Sequence, residues 1–276
     1  MKITNGYFEH AGEPFMPVGF NYWPSRTGVY CWRHFDLGEW KEDFALIRKA
    51  GFNTVRMFLL WEDFQPREDK VDADMLERLS AVVDAAADED LWMMPTLFQG
   101  WMSGTNFDPD WRNGRNHIRD LSLRGAMLML ARRVAETVAD KQNIIAIDLA
   151  NEIDVICPDV DPRSIAAWTG ELAAAIREAR PGTVVTNGSA VNPMFANSPW
   201  TYSDQKVDFV CMHGYPQFRT PLPIERGGAV RSSLVFGAMT AYAGSFAPVM
   251  RQEFGTAMGG DSEIFGDLIR AGTVAS

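Results

Sequence analysis

The sequence predicts an α/β fold in which parallel strands are joined by helical crossovers. Three observations carry this. Short β-branched or apolar runs alternate with longer amphipathic stretches along the chain, and strands separated by helices on that scale pair in parallel. Neither G-x-G-x-x-G nor G-x-x-x-x-G-K-[ST] occurs, so a doubly wound nucleotide binder would lack its phosphate turn. The 276 residues carry no internal repeat and no Pro/Gly/Ser-rich linker, and α/β barrels reach roughly 250 residues as one unit. The expectation is therefore a (β/α)8 TIM barrel, with residues 1–276 as a single domain.

The opening segment KITNGYFEHAGEPF reads as a hairpin, with turns at Asn5-Gly6 and Gly12. Met16 to Asn21 is the first barrel strand. Trp40, Phe44 and Ile47 follow at helical spacing, with Gly51 as a stop. Asn53 to Phe58 is the second strand. Met75, Leu76, Leu79, Val82, Val83 and Ala86 then form one helical face, capped by Asp72. Leu91 to Leu97 is the third strand, followed by a polar, Trp-containing loop to His117 and a helix over Leu121 to Asp140. Ile144 to Ala150 is the fourth strand, with a helix from about Pro162 to Ala179 behind it. Thr183 to Thr186 and Val207 to Met212 are the fifth and sixth. A helix around Val230 to Ala243 precedes the seventh, Pro248 to Gln252, and Ser262 to Ala271 is the last helical stretch.

Composition narrows the function. With 26 Lys+Arg against 36 Asp+Glu the net charge is −10, and no basic run offsets it, which argues against nucleic acid. No apolar run reaches roughly 18 residues and the N-terminus lacks a signal-peptide core, so no membrane is expected and the location expected is cytoplasmic. Cys31, Cys157 and Cys211 are odd in number and widely spaced, which suggests neither a disulfide framework nor a zinc cluster. Four scattered histidines offer no metal site either.

In such barrels the chemistry sits at the C-terminal ends of the strands. Those ends carry Asn21, Arg56, Asn151-Glu152, Asn187, His213 with Tyr215, and Glu253. Two of them are glutamates, on strands that face each other across the mouth. A pair of carboxyl groups suits glycoside hydrolysis, which needs one protonated acid and one nucleophile or base.

The ordered set GFNTVR (Gly51–Arg56), ANE (Ala150–Glu152), HGYP (His213–Pro216) and EFG (Glu253–Gly255) resembles clan A of the glycoside hydrolases. It is most similar to family five, the cellulase and mannanase family, and GFNYWP at Gly19–Pro24 is similar to that family's first strand. The resemblance implies Glu152 as acid/base, Glu253 as nucleophile and Asn151 as a contact to the sugar 2-hydroxyl. It further implies that Arg56 and Tyr215 hold Glu253 ionised, with His213 beside them. The activity implied is retaining cleavage of β-linked glycosides, β-1,4-mannan or glucan or derived oligosaccharides, with no cofactor and no metal. A non-hydrolytic sugar-binding barrel is the alternative.

Trp23, Trp61, Trp101 and Trp111 follow the first three strands on the mouth side and are candidates for sugar stacking, whereas Trp40 and Trp168 sit at helical packing positions. Asp154, Asp159 and Asp161 form an acidic loop without an EF-hand pattern, expected to be solvated. Strand parity points Asp148 and Arg251 into the barrel, where they would form an ion pair beneath the glutamates. Two departures from the family stand out. Phe98 or Gln99 replaces a histidine near the end of the third strand. Only 23 residues follow Glu253, enough for a seventh helix but not for an eighth strand and its tryptophan. The barrel is thus expected to be incomplete at its C-terminus, with seven strands and an open edge through which association is possible.

Overall fold

The computed structural model describes residues 1–102, 105–190, 206–214 and 247–254, together with positions 238, 240, 241 and 244. The two helices expected after residue 230 therefore lie largely or wholly outside the described residues. The chain opens with three short antiparallel strands, β1 (Lys2–Thr4), β2 (Tyr7–His10) and β3 (Glu13–Phe15). Asn5-Gly6 and Ala11-Gly12, all at positive φ, make the two tight turns that the hairpin signal requires. Phe8 packs edge-on against Phe209 at 5.2 Å, so this small sheet covers the floor of the parallel strands.

Seven of these strands lie among the described residues. β4 (Gly19–Tyr22), β5 (Thr54–Phe58), β6 (Trp92–Gln99), β7 (Ile147–Asn151) and β8 (Val185–Thr186) form one sheet in chain order. β9 (Val210–Gly214) and β10 (Val249–Phe254) pair in parallel beside it. The two sheets are joined at β8, where the Asp208 amide donates to the Val185 carbonyl at 2.9 Å and Thr186 Oγ1 to that of Phe209 at 2.9 Å. Among the described residues no ladder returns from β10 to β4. Across that gap Asn21 Nδ2 donates to the Gln252 carbonyl at 3.0 Å. Among the described residues the barrel is not closed there, and Val18 and Phe20 are exposed along the edge.

The outer layer follows the sequence signals closely. α1 (Leu37–Lys49) is capped by the Asp36 carboxylate on the Gly38 amide, carries Arg48 and Lys49 in its last turn, and ends before Gly51 at φ 92°. Asp72 caps α3 (Ala73–Asp88) and Asp161 caps α6 (Pro162–Ala179), with Pro162 in the first turn. α4 (Arg124–Thr137) packs between these two. Trp40, Phe44, Leu79, Val83, Leu130 and Leu172 are all buried on the inward stripes. Two single-turn helices, α2 (Trp61–Phe64) and α5 (Ile153–Ile156), are too short for periodicity to reveal. No helix among the described residues is long and apolar enough to cross a membrane.

Candidate active site

Arg56 is the hub of the mouth. It is buried on β5, and register sets Asn21 of β4 beside it. Its Nη1 donates to Asn21 Oδ1 at 3.0 Å and to Glu253 Oε1 at 2.6 Å. Nη2 reaches Asp148 Oδ2 at 2.7 Å and Asn151 Oδ1 at 2.8 Å, and Nε reaches Asp148 Oδ2 at 3.0 Å and Thr96 Oγ1 at 3.1 Å. Every N–H of the guanidinium is thus committed, which is what a buried arginine requires. Burial works against its charge, but the attraction of Asp148 and Glu253 outweighs this and raises its pKa. An always-charged group at 2.6 Å favours the ionised form of Glu253.

Glu152 is placed by strain. It follows β7 with φ 49° and ψ 37°, the left-handed region that non-glycine residues enter at a cost of about 1–2 kcal/mol. Two glycines clasp its backbone. A Cβ at Gly188 would lie 1.7 Å from the Ala150 carbonyl oxygen, and one at Gly100 2.5 Å from that of Asn151. The Glu152 amide donates to the Gly188 carbonyl at 2.8 Å, and Gly100 to that of Asn151 at 2.7 Å. The turn aims the Glu152 carboxyl at His213, whose Nδ1 lies 3.1 Å from Glu152 Oε1 and 3.6 Å from Glu253 Oε1. His213 thus sits closer to the glutamate of β7 than to that of β10. Burial lowers the His213 pKa, but the charge of Glu253 and the bond to Glu152 raise it further, and the net direction is up.

Single acceptor atoms of Glu152, His213 and Glu253 all lie within 4.8 Å of one another. Three such groups this close could hold a metal ion, but the Arg56 guanidinium already supplies positive charge to Glu253. Asn151 donates from Nδ2 to the Trp101 carbonyl at 2.6 Å, so with Oδ1 on Arg56 its amide orientation is set.

Three expectations change. Asp148 does point inward, but its cation is Arg56, not Arg251. The reason is a β-bulge: Arg251 pairs with Met212 and Glu253 with His213, which leaves Gln252 as the extra residue and turns it inward. Gln252 Nε2 donates to Asp148 Oδ2 at 3.0 Å and Oε1 faces His213 Nε2 at 2.8 Å. No sequence signal marked it. Trp61 is 0% exposed, packed against Phe98 and Trp111 with Nε1 on Gln65, so it stacks on core and not on sugar. Trp61→Ala should cost about 3–5 kcal/mol in urea unfolding, as loss of a buried indole does. The acidic loop is not simply solvated: Asp154 is buried against the Ala190 amide and Asp161 caps α6.

Trp23 and Trp111 are half-buried, and Trp101 is 44% exposed beside Asn151. Gln99, standing where the family histidine was expected, turns its amide to the backbone of Leu59 and Trp61. Asn187 is buried and accepts from Ser189. Tyr215 lies outside the described residues.

The sequence matches the family described as Cellulase (glycosyl hydrolase family 5) over residues 9–263. The chain belongs to glycosyl hydrolase family 5. Among solved structures, this family-5 chain is similar to the exo-β-1,4-mannosidase Op5Man5 from Opitutaceae bacterium strain TAV5. The TM-score is 0.89 at 30% identity, covering 100% of this chain and 53% of that one. It is also similar to GH5_18 from Streptomyces cattleya in complex with GlcNAc, with a TM-score of 0.84 at 24% identity over 94% of this chain and 67% of that one. The endo-1,4-β-mannanase from Rhizomucor miehei gives a TM-score of 0.70 at 17% identity, over 95% of this chain and 83% of that one. The chain thus spans about half the length of Op5Man5. Comparison with curated protein sequences gives no match.

Proposed function

We propose that this chain is a retaining β-glycosidase acting on β-1,4-linked mannosides, with short oligosaccharides as substrates and exo cleavage as the mode. One observation carries the mechanism. Glu152 and Glu253 present oxygens within 4.8 Å of each other, near the separation of about 5–5.5 Å that retaining enzymes use and well short of the roughly 6.5–9.5 Å of inverting ones. Their surroundings divide the labour. Glu253 is bound to a permanent cation and serves as nucleophile, while Glu152 faces a histidine and serves as the acid. Glu253 attacks the anomeric carbon as Glu152 protonates the departing glycosidic oxygen. A glycosyl ester on Glu253 results, and water then cleaves it with Glu152 as base. Asn151 keeps a second amide hydrogen for the sugar 2-hydroxyl, since its first is bonded to Trp101. The likeness to an exo-β-1,4-mannosidase supports mannose as the sugar.

Incubation with 2-deoxy-2-fluoro-β-mannosyl fluoride, followed by peptide mass spectrometry, tests this. A covalent adduct on Glu253 is expected. A folded protein that binds mannobiose but acquires no adduct would establish the sugar-binding alternative. Trp101, exposed beside the site, is proposed as a stacking surface: Trp101→Ala should raise KM for mannobiose about tenfold with little change in melting temperature.

A further inference from the structure

Asp148 is fully buried, and its Oδ2 is surrounded by donors: Arg56 Nε and Nη2, Thr96 Oγ1 at 3.0 Å and Gln252 Nε2 at 3.0 Å. Its Oδ1 has no hydrogen-bond partner among the described residues, and its Oδ2 already receives two N–H bonds from a guanidinium that can only donate, so neither oxygen is placed to hold a proton. Asp148 therefore acts as an acceptor only. That fixes the Gln252 amide, because the flipped orientation would set its oxygen against Asp148 Oδ2. The second neighbour of Gln252 Nε2, Met94 Sδ at 3.4 Å, is also an acceptor. Gln252 Oε1 is then left facing His213 Nε2 at 2.8 Å, and an oxygen there requires Nε2 to carry hydrogen.

We infer that Gln252 is a positioning residue that locks His213 in its Nε2–H form, so that His213 Nδ1 can engage Glu152 only by sharing one proton with it. With Nε2 protonated, a neutral His213 presents a bare lone pair 3.1 Å from Glu152 Oε1. Two acceptors at that distance repel, and one proton between them removes the repulsion. The proton either rests on Glu152 and is donated to Nδ1, or rests on Nδ1 and is donated to the carboxylate. In both cases the pair retains it. Without Gln252 the other neutral tautomer becomes available. Nδ1–H then satisfies an ionised Glu152 with no additional proton, and the general acid is lost at lower pH.

Among the described residues the charged and titratable groups facing His213 are Asp148 on β7, Glu152 just after it, Glu253 from β10 and Arg56 from β5; Cys211 on β9 is a buried thiol raised beyond the physiological range. Asp148 acts on the imidazole through Gln252, and no other carboxamide contacts its Nε2 among the described residues.

The catalytic half of this inference rests on the glycosidase function proposed above, and the tautomer does not, so two measurements are paired. In protein labelled with 15N-histidine, with His213→Asn to assign the signal, His213 should show hydrogen on Nε2 in the wild type. It should gain the Nδ1–H form in Gln252→Leu. A wild-type His213 with hydrogen on Nδ1 alone would overturn the inference whether or not the chain hydrolyses anything, and whether or not the variant folds. For kcat/KM on 4-nitrophenyl β-mannoside, Gln252→Leu should move the alkaline limb down by about one pH unit. Gln252→Glu, which shares a proton with Asp148 and still offers an oxygen to Nε2, should hold the limb near its wild-type position. A limb unmoved in Gln252→Leu, or moved equally in both variants, would show that Gln252 only fills space.

Discussion

Glu253→Gln should lower kcat/KM on an activated aryl β-mannoside by about 10⁴–10⁶-fold, the scale on which loss of a nucleophile acts. The substitution preserves volume, and an amide oxygen can still accept from Arg56 Nη1, so little of the fold depends on the change. On the proposed assignment it removes the electron pair that forms the glycosyl ester. Glu152→Ala should behave differently. An activated leaving group needs little protonation, so glycosyl-enzyme formation survives and its hydrolysis becomes slow. Added azide, small enough to occupy the space of the lost carboxyl, should then restore turnover and yield a β-mannosyl azide, which retains configuration. Rescue of Glu152→Ala by azide but not of Glu253→Gln would assign the two roles separately. A β-configured azide from Glu253→Gln, or an α-configured azide from Glu152→Ala, is the signature of the reverse assignment, and would refute the division of labour drawn from Arg56 and His213.

Local chemistry was legible in the sequence where it depended on neighbours in the chain. The caps Asp72 and Asp161, the stop at Gly51, the turns at Gly6 and Gly12 and the strand-end positions of Arg56, Glu152, His213 and Glu253 all belong to this class. Three features escaped because they arise from pairing across the fold. The inward turn of Gln252 depends on a bulge in the β9–β10 ladder, and one extra residue reverses the parity that had pointed Arg251 inward. The Arg56–Asp148 contact joins residues 92 positions apart, where parity predicts the direction of a side chain but not which cation meets it. Trp61 follows a barrel strand as a stacking residue would, yet the single turn of α2 folds it back onto Phe98. Burial of an indole is a property of the loop that covers it, and periodicity carries no signal for that loop.

Arg56→Leu should destabilise the protein by about 3–5 kcal/mol at neutral pH, measured by urea unfolding, because it removes one partner of a buried ion pair and strands the other. Asp148 would keep its bonds from Thr96 and Gln252 and lose the charge that opposes its burial. Burial already pushes the Asp148 carboxyl up, and without Arg56 the push is stronger. An acid whose folded pKa lies above its unfolded value binds a proton in the native state that the denatured state releases. The penalty should therefore be small below the ordinary aspartate range and grow as pH rises through that range to the raised native value. Arg56→Leu combined with Asp148→Leu removes both charges, and hydrophobic replacement of a complete buried pair is often neutral or stabilising. The double variant should recover most of the lost stability and lose the pH dependence. Activity should not return with it, since Glu253 would still lack its cation and Asn151 its anchor. Stability restored without turnover would show that the guanidinium is retained for the charge it places on the nucleophile. Turnover restored along with stability would reduce Arg56 to a structural ion-pair residue.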